Sequence, residues 1–146
     1  MKIILSVDGQ ERELTVEARY TLADALGTHA GCEHGVCGAC TVIVDGEPVR
    51  ACLMFAVQTQ GKKIRTVEGL AQGEKLHPLQ RAFMEHHALQ CGYCTPGFLM
   101  LATALLEKNP NLNDEEIRDA LSANLCRCTG YQNILKAVRA AAAEMR

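Results

Sequence analysis

Eight cysteines in 146 residues fall into two sets of four with different spacings. Cys32, Cys37, Cys40 and Cys52 form C-x4-C-x2-C-x11-C, while Cys91, Cys94, Cys126 and Cys128 form C-x2-C, a long gap, then C-x-C. No other feature restricts the fold as strongly, because each set must converge if its thiols act together. Thiolates are soft ligands suited to iron–sulfur clusters, zinc and copper(I). Two four-cysteine metal sites are expected, with the polypeptide as holder and insulator.

A chain of this length holds one ordinary domain or two small ones. Halves of roughly 70 residues have thin cores, the size range in which metal staples become useful. Apolar residues make up 48% of the chain, which marks it as globular rather than disordered. The formal net charge of -2 provides no electrostatic footprint for nucleic acid. No apolar run is long enough to span a bilayer. Met1-Lys2-Ile3-Ile4-Leu5 imitates the start of an export signal, but Ser6 and Asp8-Gly9 interrupt it. A cytoplasmic location is the expectation, and in that reducing compartment eight cysteines do not read as a disulfide framework.

The N-terminal half reads as β-rich. Ile3, Leu5 and Val7 alternate with Lys2, Ile4 and Ser6, Asp8-Gly9 signals a two-residue hairpin, and Gln10 to Val16 is the return strand. Thr21 caps a short helix through Leu26. A glycine-dense stretch from Gly27 to Gly38 carries the first cysteines. Thr41 to Val44 is a β-branched strand, Asp45-Gly46 a second hairpin turn, Glu47 to Cys52 its return, and Lys63 to Val67 a further strand. Glu68 to His77 reads as the connection, giving domains 1–72 and 73–146. Beyond it the pattern is helical: Leu79 to Leu89; Thr95-Pro96, read as N-cap and N1, through Glu107; Asn113, with Glu116 three residues on, through Ser122; and Asn133 to Met145. Four helices can pack as a small bundle.

The run Gly31-Cys32-Glu33-His34-Gly35-Val36-Cys37-Gly38-Ala39-Cys40, followed by Cys52, has the plant-type [2Fe–2S] spacing. A cluster held by four thiolates is negatively charged and calls for backbone N–H donors, and a loop wrapping it visits φ > 0, which glycine tolerates. Structural zinc favours paired short knuckles, a poorer fit to this triplet. A Rieske centre needs two histidines in place of two cysteines, and His34 has no partner at matching spacing. His29, His34, His77, His86 and His87 all read as ordinary surface or helix residues.

Cys91-Gly92-Tyr93-Cys94 alone is ambiguous between a redox motif and half a zinc knuckle. Its context is more specific: it lies between two helices, as does Cys126-Arg127-Cys128, so two interhelix turns each offer two thiolates. Arg127, between two of them, reads either as a charge that helps neutralise a cluster or as a plain exposed residue. Three segments then resemble a known family: Gly35 to Val42, Gln90-Cys91-Gly92-Tyr93-Cys94-Thr95-Pro96-Gly97, and Asn124-Leu125-Cys126-Arg127-Cys128-Thr129-Gly130-Tyr131. In order and with all eight cysteines, they look like the iron–sulfur subunit of the molybdenum hydroxylases, the family of xanthine dehydrogenase, aldehyde oxidoreductase and the bacterial carbon monoxide dehydrogenases.

The resemblance covers nearly the whole chain. It implies an α+β protein: an N-terminal β-grasp, plant-type ferredoxin-like domain followed by a C-terminal four-helix bundle, each with one [2Fe–2S] cluster on its four cysteines. It implies two partners, a medium FAD-binding subunit and a large subunit binding molybdopterin as the cytosine dinucleotide, assembled as a dimer of heterotrimers. Electrons would run from molybdenum to the C-terminal cluster, the N-terminal cluster and then FAD. Gln90 would contact the pterin cofactor and Cys128 would lie nearest to it; without the family, Gln90 reads as an ordinary surface amide. The sequence departs from the family twice: Leu26-Gly27-Thr28 joins the cysteine loop directly where the family has a longer stretch, and Ala123 stands where glycine is common.

Three functions follow for comparison. An electron-transfer subunit carries no substrate chemistry of its own, and plant-type clusters near about −400 mV reduce flavin readily. A zinc-dependent interaction module would be colourless rather than brown. A free ferredoxin would need only the first half of the chain.

Overall fold

The computed structural model describes all 146 residues. Strand β1 (Lys2–Val7) buries Ile3, Leu5 and Val7 and turns through Asp8-Gly9 into antiparallel β2 (Gln10–Thr15). Asp8 and Gly9 both have positive φ, 51° and 79°. This is the turn geometry whose twist matches a hairpin, and Asp-Gly adopts it readily. The Asp8 side chain also makes a long-range contact. Its carboxylate accepts from Thr66 N at 2.8 Å and from Thr66 Oγ1 at 2.6 Å. These bonds tie the hairpin tip to the exit of the sheet.

Helix α1 (Leu22–Leu26) begins in a reciprocal capping box between Thr21 and Asp24 and ends at Gly27 in the left-handed region. The direct junction at Leu26-Gly27-Thr28 therefore leaves the helix intact, and the chain enters the cysteine loop straight from its C-cap. Strands β3 (Thr41–Val44) and β4 (Glu47–Arg50) form the second hairpin, and β5 (Lys63–Arg65) runs parallel to β1 and antiparallel to β3. The sheet order is β2-β1-β5-β3-β4. Two expected strands end early. The return strand stops at Arg50, and Cys52 sits in a 3-10 turn (Ala51–Leu53). The last strand stops at Arg65, where Asp8 takes the Thr66 amide, and a 3-10 turn (Val67–Gly69) follows.

The C-terminal half contains four helices: α2 (Pro78–Glu85), α3 (Thr95–Lys108), α4 (Asp114–Leu121) and α5 (Gln132–Met145). Helix α3 is buried almost all round, from Gly97 through Ala104, as expected of a helix apolar on every side. Helix α2 is shorter than the sequence suggests, so His86 caps its end and His87, at φ 52°, lies beyond it. Its start is set by His77, whose Nδ1 accepts from Leu79 N at 3.2 Å while Gln80 Oε1 accepts from His77 N at 2.9 Å. Asn113 and Glu116 form the same reciprocal box at α4. Thr95 is the first residue of α3 rather than its cap; Cys94 occupies the cap position and makes no side-chain cap bond.

The two halves share strand β3. Val42 and Val44 pack into the core under the sheet, whereas Ile43 belongs to the core of the helices. A four-residue run buried throughout therefore serves two cores, one on each face of the strand. At the far end of α3, Arg65 makes a bidentate pair with Glu107 at 2.8 and 3.0 Å, and Lys108 reaches Glu47 at 2.6 Å.

Candidate metal centres

All eight cysteines are free thiols. The first four lie on one loop and the 3-10 turn after β4. Cys32 Sγ accepts from the amides of Val36 and Cys37, each at 3.3 Å, and of His34 at 3.5 Å. Cys37 Sγ accepts from Ala39 N at 3.4 Å. A loop that turns this many N–H groups onto sulfur stabilises thiolate over thiol. The Cys32 thiol is accordingly held down to about 6, chiefly by the Cys37 amide and then that of His34. Cys52 goes the other way, pushed up to about 11 by burial and by its neighbour Cys40. His34 is exposed but not idle: its Nδ1 lies 2.9 Å from the Cys32 carbonyl, which together with the Cys32 charge raises its pKa.

Gly35 takes a φ of 83°, a conformation that strains any residue with a side chain, and a Cβ on Gly31 would press on Cys37 Sγ at 3.0 Å. The amide of Gly35 also favours the thiolate of Cys52.

The second four sit in the turns before α3 and before α5. Cys126 Sγ accepts from Thr129 Oγ1 at 3.1 Å and Thr129 N at 3.4 Å, and Cys91 Sγ from Tyr93 N at 3.5 Å. Burial opposes ionisation of Cys126, but the Thr129 bonds, the Cys128 amide and Cys94 together outweigh it and lower its pKa. Cys94 is pushed up to about 12, first by burial and then by Cys126 beside it. Cys91 and Cys128 are exposed, as are Gln90 and Arg127. Ala123, at the position where glycine is common, takes negative φ and fits without strain.

The two cysteine loops touch. Leu125 N donates to Cys37 O at 2.8 Å, and Asn124 Nδ2 donates to Gly38 O at 3.2 Å. Arg50 Nη2 donates to Ala123 O at 2.6 Å. Helix α3 enters at the same place: a Cβ on Gly97 would lie 2.2 Å from Gly38 O. Residues 123–125 carry no obvious signal of this contact in the sequence. Tyr93 and His29 also meet across the loops, a pairing that reading His29 as an ordinary surface residue overlooks.

These donors suit a metal–sulfur group better than a single ion. No three His, Cys, Asp or Glu side chains converge tightly enough to hold one metal ion. The thiols instead interact within each set: Cys32 with Cys37, Cys52 with Cys40 and then Cys32, and Cys94 with Cys126 and then Cys91. Two thiols per iron, spread over a two-iron core and met by amide donors, is the arrangement a [2Fe–2S] cluster asks for. The fold and these loops define an iron–sulfur protein with two binding domains.

Comparison with known proteins agrees. Residues 12–85 match the family described as "2Fe-2S iron-sulfur cluster binding domain", and residues 66–139 match "[2Fe-2S] binding domain". The nicotine 6-hydroxylase small subunit of Paenarthrobacter nicotinovorans is 57% identical, over 94% of this chain and 87% of that protein. Caffeine dehydrogenase subunit gamma of Pseudomonas sp. strain CBB1 is 54% identical, over 94% and 88%. Among solved structures, quinoline 2-oxidoreductase from Pseudomonas putida 86 superposes with TM-score 0.95 at 50% identity, covering 100% of this chain and 96% of that one. Aldehyde oxidoreductase from Desulfovibrio gigas superposes with TM-score 0.91 at 43% identity, but there the match is only 17% of a much longer chain.

The chain belongs to the family of [2Fe–2S] small subunits of the molybdenum hydroxylases and aldehyde oxidoreductases. In that family it is the non-catalytic, electron-transferring iron–sulfur component of an oxidoreductase. No helix is long and apolar enough to cross a membrane.

Proposed function

We propose that this chain passes electrons from a molybdopterin centre on a large subunit, through two [2Fe–2S] clusters, to FAD on a medium subunit. The observation that carries the reading is the placement of eight thiols in two sets whose segments touch through Leu125 and Cys37. Cys32, Cys37, Cys40 and Cys52 hold the N-terminal cluster in domain 1–72. Cys91, Cys94, Cys126 and Cys128 hold the C-terminal cluster in domain 73–146. When bound, the clusters supply one-electron redox chemistry. The chain's own residues do the rest. The amides of His34, Val36, Cys37, Ala39 and Tyr93 and the hydroxyl of Thr129 donate to the ligand sulfurs, spreading their negative charge. Burial of Cys40 and Cys52 keeps water from one side of the first site, and burial together with sulfur hydrogen bonding tunes such centres.

The direction rests on the family resemblance. Gln90, Cys91 and Cys128 are all exposed, which leaves the second site accessible to a partner. We assign Gln90 and Cys128 to the pterin side, with the cofactor as molybdopterin cytosine dinucleotide, and the first site to the flavin side. The complex is a dimer of heterotrimers in the cytoplasm. Relatives named for nicotine, caffeine and quinoline support an N-heteroaromatic substrate for the complex, bound outside this chain.

Purification of the native complex tests this. The small chain is expected to co-elute with FAD- and molybdenum-bearing chains, to contain about four iron and four sulfide, and to give two distinct [2Fe–2S] EPR signals on reduction. N-heteroaromatics, purines, aldehydes and carbon monoxide are then screened by dye reduction. A colourless, zinc-filled, EPR-silent chain overturns the proposal.

A further inference from the structure

Tyr93 lies between two of the second-set cysteines, yet its side chain is spent on the first loop. Its Oη donates to Ala30 O at 3.0 Å and accepts from Ala30 N at 3.2 Å, so one phenol holds both sides of a residue two positions before Cys32. Its ring stacks on His29, with centroids 4.5 Å apart and planes 10° from parallel. The carbonyl of Tyr93 lies 2.9 Å from His29 Nδ1. A carbonyl only accepts, so Nδ1 carries the proton in this contact. Three hydrogen bonds and a stack thus connect residues 29–30 to residue 93.

Nothing in the local folding of either loop demands this. The C-terminal domain is already held to the sheet by Ile43, by Gly97 against Gly38, and by the Arg65–Glu107 pair. The contact between residues 123–125 and 37–38 fixes one side of the junction between the loops. Tyr93 and His29 close another side, where both residues are exposed.

We propose that Tyr93 and His29 form a clasp that sets the separation and orientation of the two cluster-bearing loops, making them positioning residues for electron transfer within the chain. Without the clasp, the Cys91–Cys94 turn and the segment before Cys32 fluctuate independently, and the distance between the two redox centres spreads. Electron tunnelling falls steeply with distance, so a defined rate needs a defined separation. Pre-organised geometry of this kind depends on such supporting contacts rather than on the ligands alone. The role rests on the electron-transfer reading above, whereas the clasp itself does not.

The test uses the full chain with its clusters, as wild type, Tyr93→Phe, His29→Ala and Tyr93→Leu. Iron content and the EPR signal of each cluster should stay as in wild type, because no ligand is changed and the Tyr93 backbone amide that donates to Cys91 Sγ is kept in every variant. In the fully reduced protein, the magnetic interaction between the two clusters should broaden in Tyr93→Phe and more so in Tyr93→Leu. Exchange of the Ala30 amide should quicken roughly five- to tenfold in Tyr93→Phe, about the loss of one net hydrogen bond. His29→Ala should show an intermediate effect, because it removes the stack and the hydrogen bond to the Tyr93 carbonyl but leaves the phenol. Unchanged intercluster coupling and unchanged Ala30 exchange in Tyr93→Leu overturn the clasp. Faster Ala30 exchange with unchanged coupling overturns the positioning role. If the chain carries no paramagnetic clusters, the electron-transfer reading fails, and Ala30 exchange still decides whether the clasp exists.

Discussion

The backbone N–H of Leu125 donates a 2.8 Å hydrogen bond to the carbonyl oxygen of Cys37. One partner precedes a cysteine of the second set, and the other is itself a cysteine of the first. Residues 88 apart in sequence therefore bring the two cysteine loops into direct contact. Gly38 O, next along the chain, accepts from both Asn124 Nδ2 and Thr41 Oγ1. Thr41 Oγ1 in turn accepts from Arg50, which also holds Ala123 O. The junction is thus a network rooted in strands β3 and β4.

Gly97→Ala is expected to damage this junction most directly. Its new methyl would meet the Gly38 carbonyl oxygen and Ala39 Cα, both backbone atoms of the first loop. Overpacking of that kind costs about 1–3 kcal/mol. Urea unfolding of the cluster-loaded protein should show the loss, and iron analysis should show depletion at the first site. A wild-type midpoint would mean that α3 shifts freely, contrary to its burial.

The cysteines should ionise unequally in cluster-free protein that keeps its fold. Cys32, held down to about 6 by amide donors, is mostly thiolate at pH 7, while Cys52 at about 11 and Cys94 at about 12 stay protonated. The thiolate is the nucleophile. Iodoacetamide at pH 7, followed by peptide mapping, should label Cys32 well ahead of Cys52 and Cys94. The Cys32 rate should fall as pH drops through about 6. Equal labelling of the three would contradict the hydrogen-bond pattern.

His77 should make α2 acid-sensitive. Its Nδ1 accepts from Leu79 N, which requires an unprotonated nitrogen, and burial lowers its pKa below the ordinary 6.5. Below 6.5 the unfolded chain binds the proton more readily than the folded one. Stability is therefore complete above that pH and declines as pH falls towards the lowered value. His77→Asn keeps a capping side chain and should flatten this part of the profile, whereas His77→Ala should lose roughly 1 kcal/mol at neutral pH. Thermal melts from about pH 7.5 to 5 distinguish them, and parallel profiles for wild type and His77→Asn would rule out the effect.

Cys128→Ser should separate the two redox centres. Cys128 is exposed and belongs to the second set of cysteines, not the first. One EPR signal should shift or vanish while the other persists, and electron entry from the molybdenum subunit should slow in the assembled complex. Equal loss of both signals would argue that the sites are not independent.

Much of this is legible from residue patterns. The Asp8-Gly9 and Asp45-Gly46 turns, the Thr21 cap and the Asn113–Glu116 box are local devices, so their residues announce them. The boundaries that differ from the pattern do so for non-local reasons. Strand β5 ends at Arg65 because Asp8, far away in sequence, takes the next amide. The histidines, which read as bland surface residues, are unequal. His77 caps a helix and His29 stacks on Tyr93, two uses of an imidazole that no spacing rule reveals.

Residue order alone was enough to establish the two cysteine sets, the family, and the division into a sheet and four helices, because these rest on short-range spacing and periodicity. How the sets are joined emerged from the packed molecule. Ile43 crosses from one core to the other, Gly97 admits the Gly38 carbonyl, and Leu125 and Tyr93 reach loops 88 and 63 residues away. Contacts at that separation depend on how whole elements pack, which local patterns do not encode.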